Sequence, residues 1–135
     1  MNIGHTLLSL LVLVGSPQPS SASEPLACNV SALSAQERDR HDVLADKLKN
    51  AVVGTTELAN GYEITLDLSR LPADSRGQAF GVVEVAEWVD MEARCCPFLE
   101  FGIEVRGKGG PVKLRLTGDK QVKAFLKNEL PLLTR

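Results

Sequence analysis

The chain passes from a helix into a strand at Glu92-Ala93-Arg94-Cys95-Cys96-Pro97-Phe98-Leu99-Glu100-Phe101. Pro97 disfavours the helical conformation at the residue before it, so the helix that carries Cys95 is expected to end at this point. The turn that follows presents two adjacent thiols. Such a pair can bind a soft metal ion as a dithiolate, form a disulfide, or pack as small core residues. This segment alone leaves the three possibilities open.

The helix that leads into this turn is predicted over residues 78–95. Cys96 continues its apolar stripe and is expected on or near the core face, whereas Cys95 falls beside Met91 and Glu92 on another side. Only the turn at Pro97 can then bring both thiols to one ligand. The predicted stripe recurs at steps of three and four residues and consists of Ala79, Val82, Val83, Ala86, Val89 and Ala93.

Two hairpins and two further helices complete the predicted fold. Asn60-Gly61 joins strands over residues 52–58 and 62–68, and a glycine-rich turn joins strands near residues 101–106 and 112–117. A capping box at Ser34 starts a helix that runs to about Ala51, and Asp119 starts a last helix that Pro131 ends. We therefore predict an α+β, two-layer domain with a four-stranded, mainly antiparallel sheet and helices on one face.

The start of the chain has the composition of a secretory signal. An apolar run is followed by a polar, helix-breaking stretch, which predicts a signal peptide over residues 1–22. Residues 23–33 then form a segment that carries Cys28, and residues 34–135 form the single domain. We expect an exported protein, periplasmic or extracellular; because no Lys or Arg precedes the apolar run, a cytoplasmic protein is the alternative. The run is shorter than the ~20 residues of a permanent membrane span.

Composition narrows the possible partners. With 135 residues and a formal net charge of -2, the chain suits one domain and has no excess of positive charge with which to bind nucleic acid. We expect a metal or metalloid ion, or a small thiol, as the partner. No phosphate loop, metalloprotease helix or serine elbow is present, so a binding role is favoured over an enzymatic one. His41 is interpreted as an isolated surface histidine.

Three cysteines carry the remaining chemistry. Cys28, Cys95 and Cys96 could form a site for a soft metal or metalloid ion if Cys28 folds over the turn, with Trp88, Glu92 and Arg94 around the thiols. In a second interpretation, a thiol redox protein uses the vicinal pair, with Cys95 as the exposed nucleophile and Cys96 or Cys28 resolving it. In a third, a disulfide from Cys28 to Cys95 or Cys96 staples an interaction domain that has no site chemistry.

Several segments together resemble a family of small, uncharacterised bacterial proteins that carry an N-terminal cysteine and a Cys-Cys-Pro-Phe motif. The resemblance covers most of the chain after residue 27 and implies that Cys28 belongs with Cys95 and Cys96 in one site. The chain departs from the family in its leading apolar segment, since many members start close to the first cysteine. The segments are Cys28-Asn29-Val30-Ser31-Ala32-Leu33-Ser34, Asn60-Gly61-Tyr62, residues 92–101 and Leu114-Arg115-Leu116-Thr117-Gly118.

Overall fold

A computed structural model describes residues 25–130, and the predicted signal peptide lies outside them. The four strands form one antiparallel sheet in the order β1-β2-β4-β3, which confirms the α+β class. Each hairpin is followed by a helix, and the second strand of each hairpin lies at the centre of the sheet. The elements are α1 Ala35–Ala51, β1 Val52–Leu58, β2 Gly61–Leu66, α2 Val82–Cys95, β3 Glu100–Val105, β4 Val112–Thr117 and α3 Lys120–Glu129.

The sheet has one apolar face and one charged face. On the apolar face, Ile64 of β2 lies opposite Leu114 of β4, and both are fully buried. On the charged face, Glu63 accepts hydrogen bonds of 2.7 Å from Lys113 Nζ and Arg115 Nε. The alternation follows from the two-residue period of a strand. In the described chain α2 packs against β3, and α3 packs against β2 and β4; the placement of every helix on one face stays a prediction.

The first hairpin forms where Asn60-Gly61 predicts it. Glycine is required at position 61 by the close approach of β4 and not by a positive φ in the turn. Leu58 pairs with Gly61, so Gly61 is already the first residue of β2. Its φ is not positive, and a Cβ atom at this position would collide with the carbonyl oxygen of Leu116 on β4. Close approach of the two central strands therefore requires glycine here. The second strand is shorter than predicted, because Asp67 caps a 3-10 turn over Leu68–Arg70.

The helix ends follow their caps. Ser34 and Glu37 form the predicted capping box at the start of α1, and Asp119 caps α3 as predicted. The predicted end at Pro131 lies outside the described residues. The prediction that α2 begins at residue 78 is wrong: the Asp74 side chain accepts a hydrogen bond from the N–H of Gln78, which keeps this residue in the loop. The helix starts only after Gly81.

The predicted buried face of α2 is wrong in part, because Val82 and Val89 are only partly buried against the core. Val83 is largely exposed, and Ala86 and Ala93 are exposed as well. Burial follows the larger side chains, because they remove more apolar surface from water than alanines do. The correction moves Cys95, which was expected on another side of the helix, onto the buried face. The buried residues of α2 are Val85, Trp88, Met91, Glu92 and Cys95.

Candidate functional site

The candidate site lies where α2 ends and the N-terminal segment crosses it. Cys96 leaves the helical conformation with φ -122° and ψ 69°, as Pro97 predicts, while its N–H still donates a 2.7 Å hydrogen bond to the carbonyl oxygen of Glu92. The N–H of Asn29 donates a 2.8 Å hydrogen bond to the carbonyl oxygen of Cys95. The segment that carries Cys28 is thereby fixed against the end of the helix.

A disulfide joins Cys28 to Cys96. Their Cα atoms are 4.7 Å apart, which is within the usual range for this bond. Of the two pairings that the sequence allowed for Cys28, the structure contains the one with Cys96. The two sulfurs differ in exposure, because Cys96 is 1% exposed whereas Cys28 is partly exposed. The disulfide is compatible with an exported protein.

Glu92 places a carboxylate beside this disulfide. It lies four residues before Cys96, so the two side chains lie on the same side of the helix end. Its Oε2 atom is 3.5 Å from Cys96 Sγ, and the side chain is buried. The ligand atoms of Cys28, Glu92 and Cys96 all lie within 4.8 Å of one another. This Cys/Glu/Cys cluster could hold a metal ion.

His41 adjoins the cluster, although its sequence context indicated an isolated surface histidine. Its Nε2 atom is 3.5 Å from Glu92 Oε1, an ion-pair distance that is long for a hydrogen bond, and it has no hydrogen-bond partner in residues 25–130. The close approach of the Glu92 carboxylate is the main cause that raises the pKa of His41, against an opposing effect of burial. Its spacing to Leu44 and Leu48, three and seven residues on, places it beside the buried stripe of α1, and this signal was available in the sequence.

Cys95 is the free cysteine of the described chain, and its sulfur is not part of the Cys/Glu/Cys cluster. It is 3% exposed, so the expectation of an exposed nucleophile at this position is wrong. Burial raises the pKa of the Cys95 thiol, and the charge of Glu92 raises it further, whereas Arg94 lowers it. A buried thiol with a raised pKa is a poor nucleophile, because the thiolate is the reactive form.

Trp88 and Arg94 make their main contacts with other side chains. Trp88 lies in the core. Its ring is edge-on to that of Phe101, with ring centroids 6.5 Å apart, and is stacked beside that of His41, with ring centroids 6.0 Å apart. The guanidinium of Arg94 points to the surface and pairs with Glu37 at 2.9 Å. Of the three residues that were predicted to surround the thiols, Glu92 is the one in contact with a disulfide sulfur.

The disulfide opens onto a cleft of about 630 Å³. This volume lies within the range of about 300–1,000 Å³ that is typical of small-molecule sites. The cleft lies between the N-terminal segment, α1 and the ends of α2 and α3, and all three cysteines contribute to its wall. Much of the remaining wall is apolar and includes Leu26, Leu33, Leu99, Phe125 and Leu130.

Known proteins give no indication of what the site does. No family model, curated protein or solved structure matches the chain. The resemblance to proteins with a Cys-Cys-Pro-Phe motif therefore stays an expectation. Within residues 25–130, no helix has both the length and the apolar character needed to cross a membrane.

Proposed function

We propose that the protein binds a soft metal or metalloid ion between the sulfurs of Cys28 and Cys96 and the carboxylate of Glu92, once the disulfide is reduced. The observation that carries this proposal is the clustering of the three ligand atoms within 4.8 Å. Metal–sulfur bonds are about 2.3 Å long for zinc. The two sulfurs, which are bonded to each other in the disulfide, would therefore separate on reduction to take one ion between them beside Glu92. Burial of Glu92 and Cys96 would shield the ion from competing water.

The chemistry of the donors indicates which ions fit. Reduction adds two electrons and two protons to the disulfide and yields two thiols, and an ion that binds to them displaces the thiol protons. Two thiolates select soft ions such as Cu(I), and by extension Hg(II) or trivalent arsenic. Structural zinc normally takes four ligands, whereas the cluster offers three. A thiophilic ion with a low coordination number therefore suits the cluster best.

Cys95 distinguishes two forms of the proposal. In the form favoured by the sequence, Cys28, Cys95 and Cys96 all bind the ion, which requires the turn at Pro97 to rearrange and bring Cys95 towards the other two sulfurs. In the form favoured by the geometry, Glu92 supplies the third donor and Cys95 stays in the core. The variant Cys95→Ser separates the two forms, because it removes a ligand only in the first.

The test is a metal titration of the chemically reduced chain. The full chain is reduced with a phosphine, freed of reductant without oxygen, and titrated with Cu(I), Hg(II) or arsenite, and bound ions are counted by native mass spectrometry. We expect one ion per chain, its loss in Cys28→Ser and Cys96→Ser, and retention in Cys95→Ser. Glu92→Gln should weaken binding about tenfold or more, whereas Asp90→Asn, an exposed carboxylate on the same helix, should not.

One outcome would overturn the proposal. If the reduced wild-type chain binds no more ion than the variant that lacks both Cys28 and Cys96, the cluster is not a metal site. Loss of binding in Cys95→Ser with the fold intact would instead replace the Glu92 form by the three-thiolate form. Circular dichroism of each variant distinguishes a lost ligand from a lost fold.

The disulfide itself supports a second candidate, a stapled interaction domain. The bond joins positions 68 residues apart and ties the N-terminal segment to the end of α2. A purely structural disulfide resists reduction by glutathione, with a potential below about -300 mV. A measured potential in that range, together with no ion bound by the reduced chain, would favour this candidate over the metal site.

A further inference from the structure

The two sulfurs of the disulfide differ in how a thiol can reach them. Cys28 lies on the N-terminal segment and is partly exposed at the wall of the cleft, whereas Cys96 is 1% exposed at the end of α2. In thiol–disulfide exchange, access decides which sulfur the incoming thiolate attacks. Cys28 is the more exposed of the two cysteines, so we expect an incoming thiolate to reach it more readily than Cys96.

The charge of Glu92 acts on Cys96. The carboxylate oxygen Oε2 of Glu92 is 3.5 Å from Cys96 Sγ. A thiolate that approached Cys96 would have to come close to this buried carboxylate, and like charges repel strongly where water is excluded. The carboxylate also disfavours a negative charge that leaves on Cys96, so it is burial that directs an incoming thiolate to Cys28.

The shape of the site indicates the kind of thiol. Cys28 is only partly exposed, and the disulfide lies in the wall of a cleft of about 630 Å³ beside Leu26 and Leu130. A cleft of this volume admits a small molecule. The thiol of a folded protein would have to reach the sulfur past the walls of the cleft. The recessed position therefore favours a small thiol over a protein thiol.

We propose that a low-molecular-weight thiol enters this cleft and opens the disulfide by attack on Cys28. Its thiolate forms a new bond to Cys28 Sγ, the Cys28–Cys96 bond breaks, and the electron pair leaves on Cys96, which takes up a proton from water and becomes a thiol. A second thiolate attacks the small-molecule sulfur of this mixed disulfide, the oxidised small disulfide leaves, and Cys28 becomes a thiolate. Overall, two small thiols are oxidised and the protein disulfide gains two electrons.

Opening of the disulfide by a small thiol rests on the proposed function, because the reaction yields the two reduced cysteines that the ion requires. The buried thiol of Cys95 takes no part as a nucleophile. Cys96 is the leaving sulfur, so after the first step its thiol is already next to the carboxylate of Glu92. The class of small molecule that prepares the metal site is therefore a thiol.

The test maps the mixed disulfide. The oxidised full chain, in the Cys95→Ser background and as wild type, is mixed with reduced glutathione and quenched in acid after short times, since protonated thiols do not exchange. Pepsin digestion in acid and fragment mass spectrometry then locate the adduct. We expect glutathione on Cys28 at least about tenfold more often than on Cys96, the preference of a reaction governed by access.

Three results would overturn the inference: an adduct mainly on Cys96, an even division between the two sulfurs, or no adduct in a chain whose disulfide a thioredoxin-type protein does reduce. The last result would mean that a protein thiol is the partner. No metal is present in this experiment, so its failure leaves the metal titration untouched. Conversely, a reduced chain that binds no ion would contradict the proposed function, and the expected attack of the small thiol on Cys28 would be unaffected.

Discussion

The N–H of Asn29 donates a 2.8 Å hydrogen bond to the carbonyl oxygen of Cys95, and the residues next to each of them, Cys28 and Cys96, share a disulfide. One non-covalent and one covalent link therefore hold the N-terminal segment at adjacent points of the same helix end. The hydrogen bond alone contributes about 1 kcal/mol. The position of Cys28 beside Glu92 consequently depends on the disulfide, or on an ion that replaces it.

Removal of the disulfide should lower stability substantially. Cys28→Ser eliminates a link between positions 68 residues apart, which in the chain-entropy model reduces the free energy of unfolding by about 4 kcal/mol. The measurement is urea unfolding without reductant. A reducing agent should lower the stability of the wild-type chain by a similar amount and leave that of Cys28→Ser unchanged.

The variant Cys95→Ser is the control, because it keeps the disulfide and changes a neighbouring buried sulfur. It should cost about 1 kcal/mol, the penalty of placing a hydroxyl in an apolar site. If reductant leaves the wild-type stability unchanged, the disulfide adds nothing to the folded state and the prediction fails.

Local signals predicted most of the fold. The capping box at Ser34 and the hairpin signal at Asn60-Gly61 act over a few residues, and both elements formed where these signals indicated. The buried face of α2 was missed because the helix carries two apolar stripes. Periodicity picked the stripe of alanines and valines, whereas packing buried Trp88 and Met91. The choice depends on what the sheet presents to the helix, which a local pattern does not contain.

The candidate site was predictable only in part. Two adjacent thiols before Pro97 indicated a cysteine site, but the pairing of Cys28 with Cys96 depends on how the N-terminal segment crosses the helix. Glu92 was placed near the thiols from its position in the chain. His41 was missed because it lies among charged residues of α1, and its partner Glu92 is far away in sequence.

The pKa of His41 should depend on the presence of the Glu92 side chain. Its pKa is raised from the ordinary value of 6.5, mainly by Glu92 and less by Asp42, against the effect of burial. The pair therefore stabilises the fold below about pH 6.5, and this contribution is lost as the pH rises through the raised pKa. We expect NMR titration to give a lower His41 pKa in Glu92→Gln than in the wild type.

Asp42→Asn serves as the matched control for this titration. It removes the weaker of the two acidic partners, so it should lower the pKa of His41 by less than Glu92→Gln does. His41→Gln identifies the resonance, since the chain contains two histidines. An equal or larger effect of Asp42→Asn would show that Glu92 is not the principal partner.

Acid sensitivity should depend on the charged face of the sheet. Lys113 and Arg115 donate hydrogen bonds to Glu63, which lowers the pKa of its carboxyl below the ordinary value of 4.5. A carboxyl with a lowered pKa stabilises the fold at any pH above its ordinary pKa. This contribution is lost as the pH falls through the lowered pKa of the folded state. The stability difference between wild type and Glu63→Gln should therefore shrink between about pH 5 and pH 3.

Urea unfolding at several pH values measures this difference. Glu100→Gln, which changes an exposed carboxyl at the start of β3, is the control and should alter the pH profile less. A difference between wild type and Glu63→Gln that stays constant down to pH 3 would mean that the two cations do not act through the charge of Glu63.

The contact between the two central strands should tolerate no side chain at Gly61. A Cβ atom there would meet the carbonyl oxygen of Leu116 and the backbone of Thr117, neither of which can move without disturbing the pairing of β2 with β4. Gly61→Ala should lower the free energy of unfolding by about 1–3 kcal/mol, the usual cost of overpacking.

Gly54→Ala is the matched change, because a Cβ atom on Gly54 would have no other atom within 4 Å. That variant should be neutral or more stable by about 0.5 kcal/mol, since glycine weakens a strand. Urea unfolding of both variants compares them directly, and equal losses would mean that the approach of β4 is not what requires glycine in this hairpin.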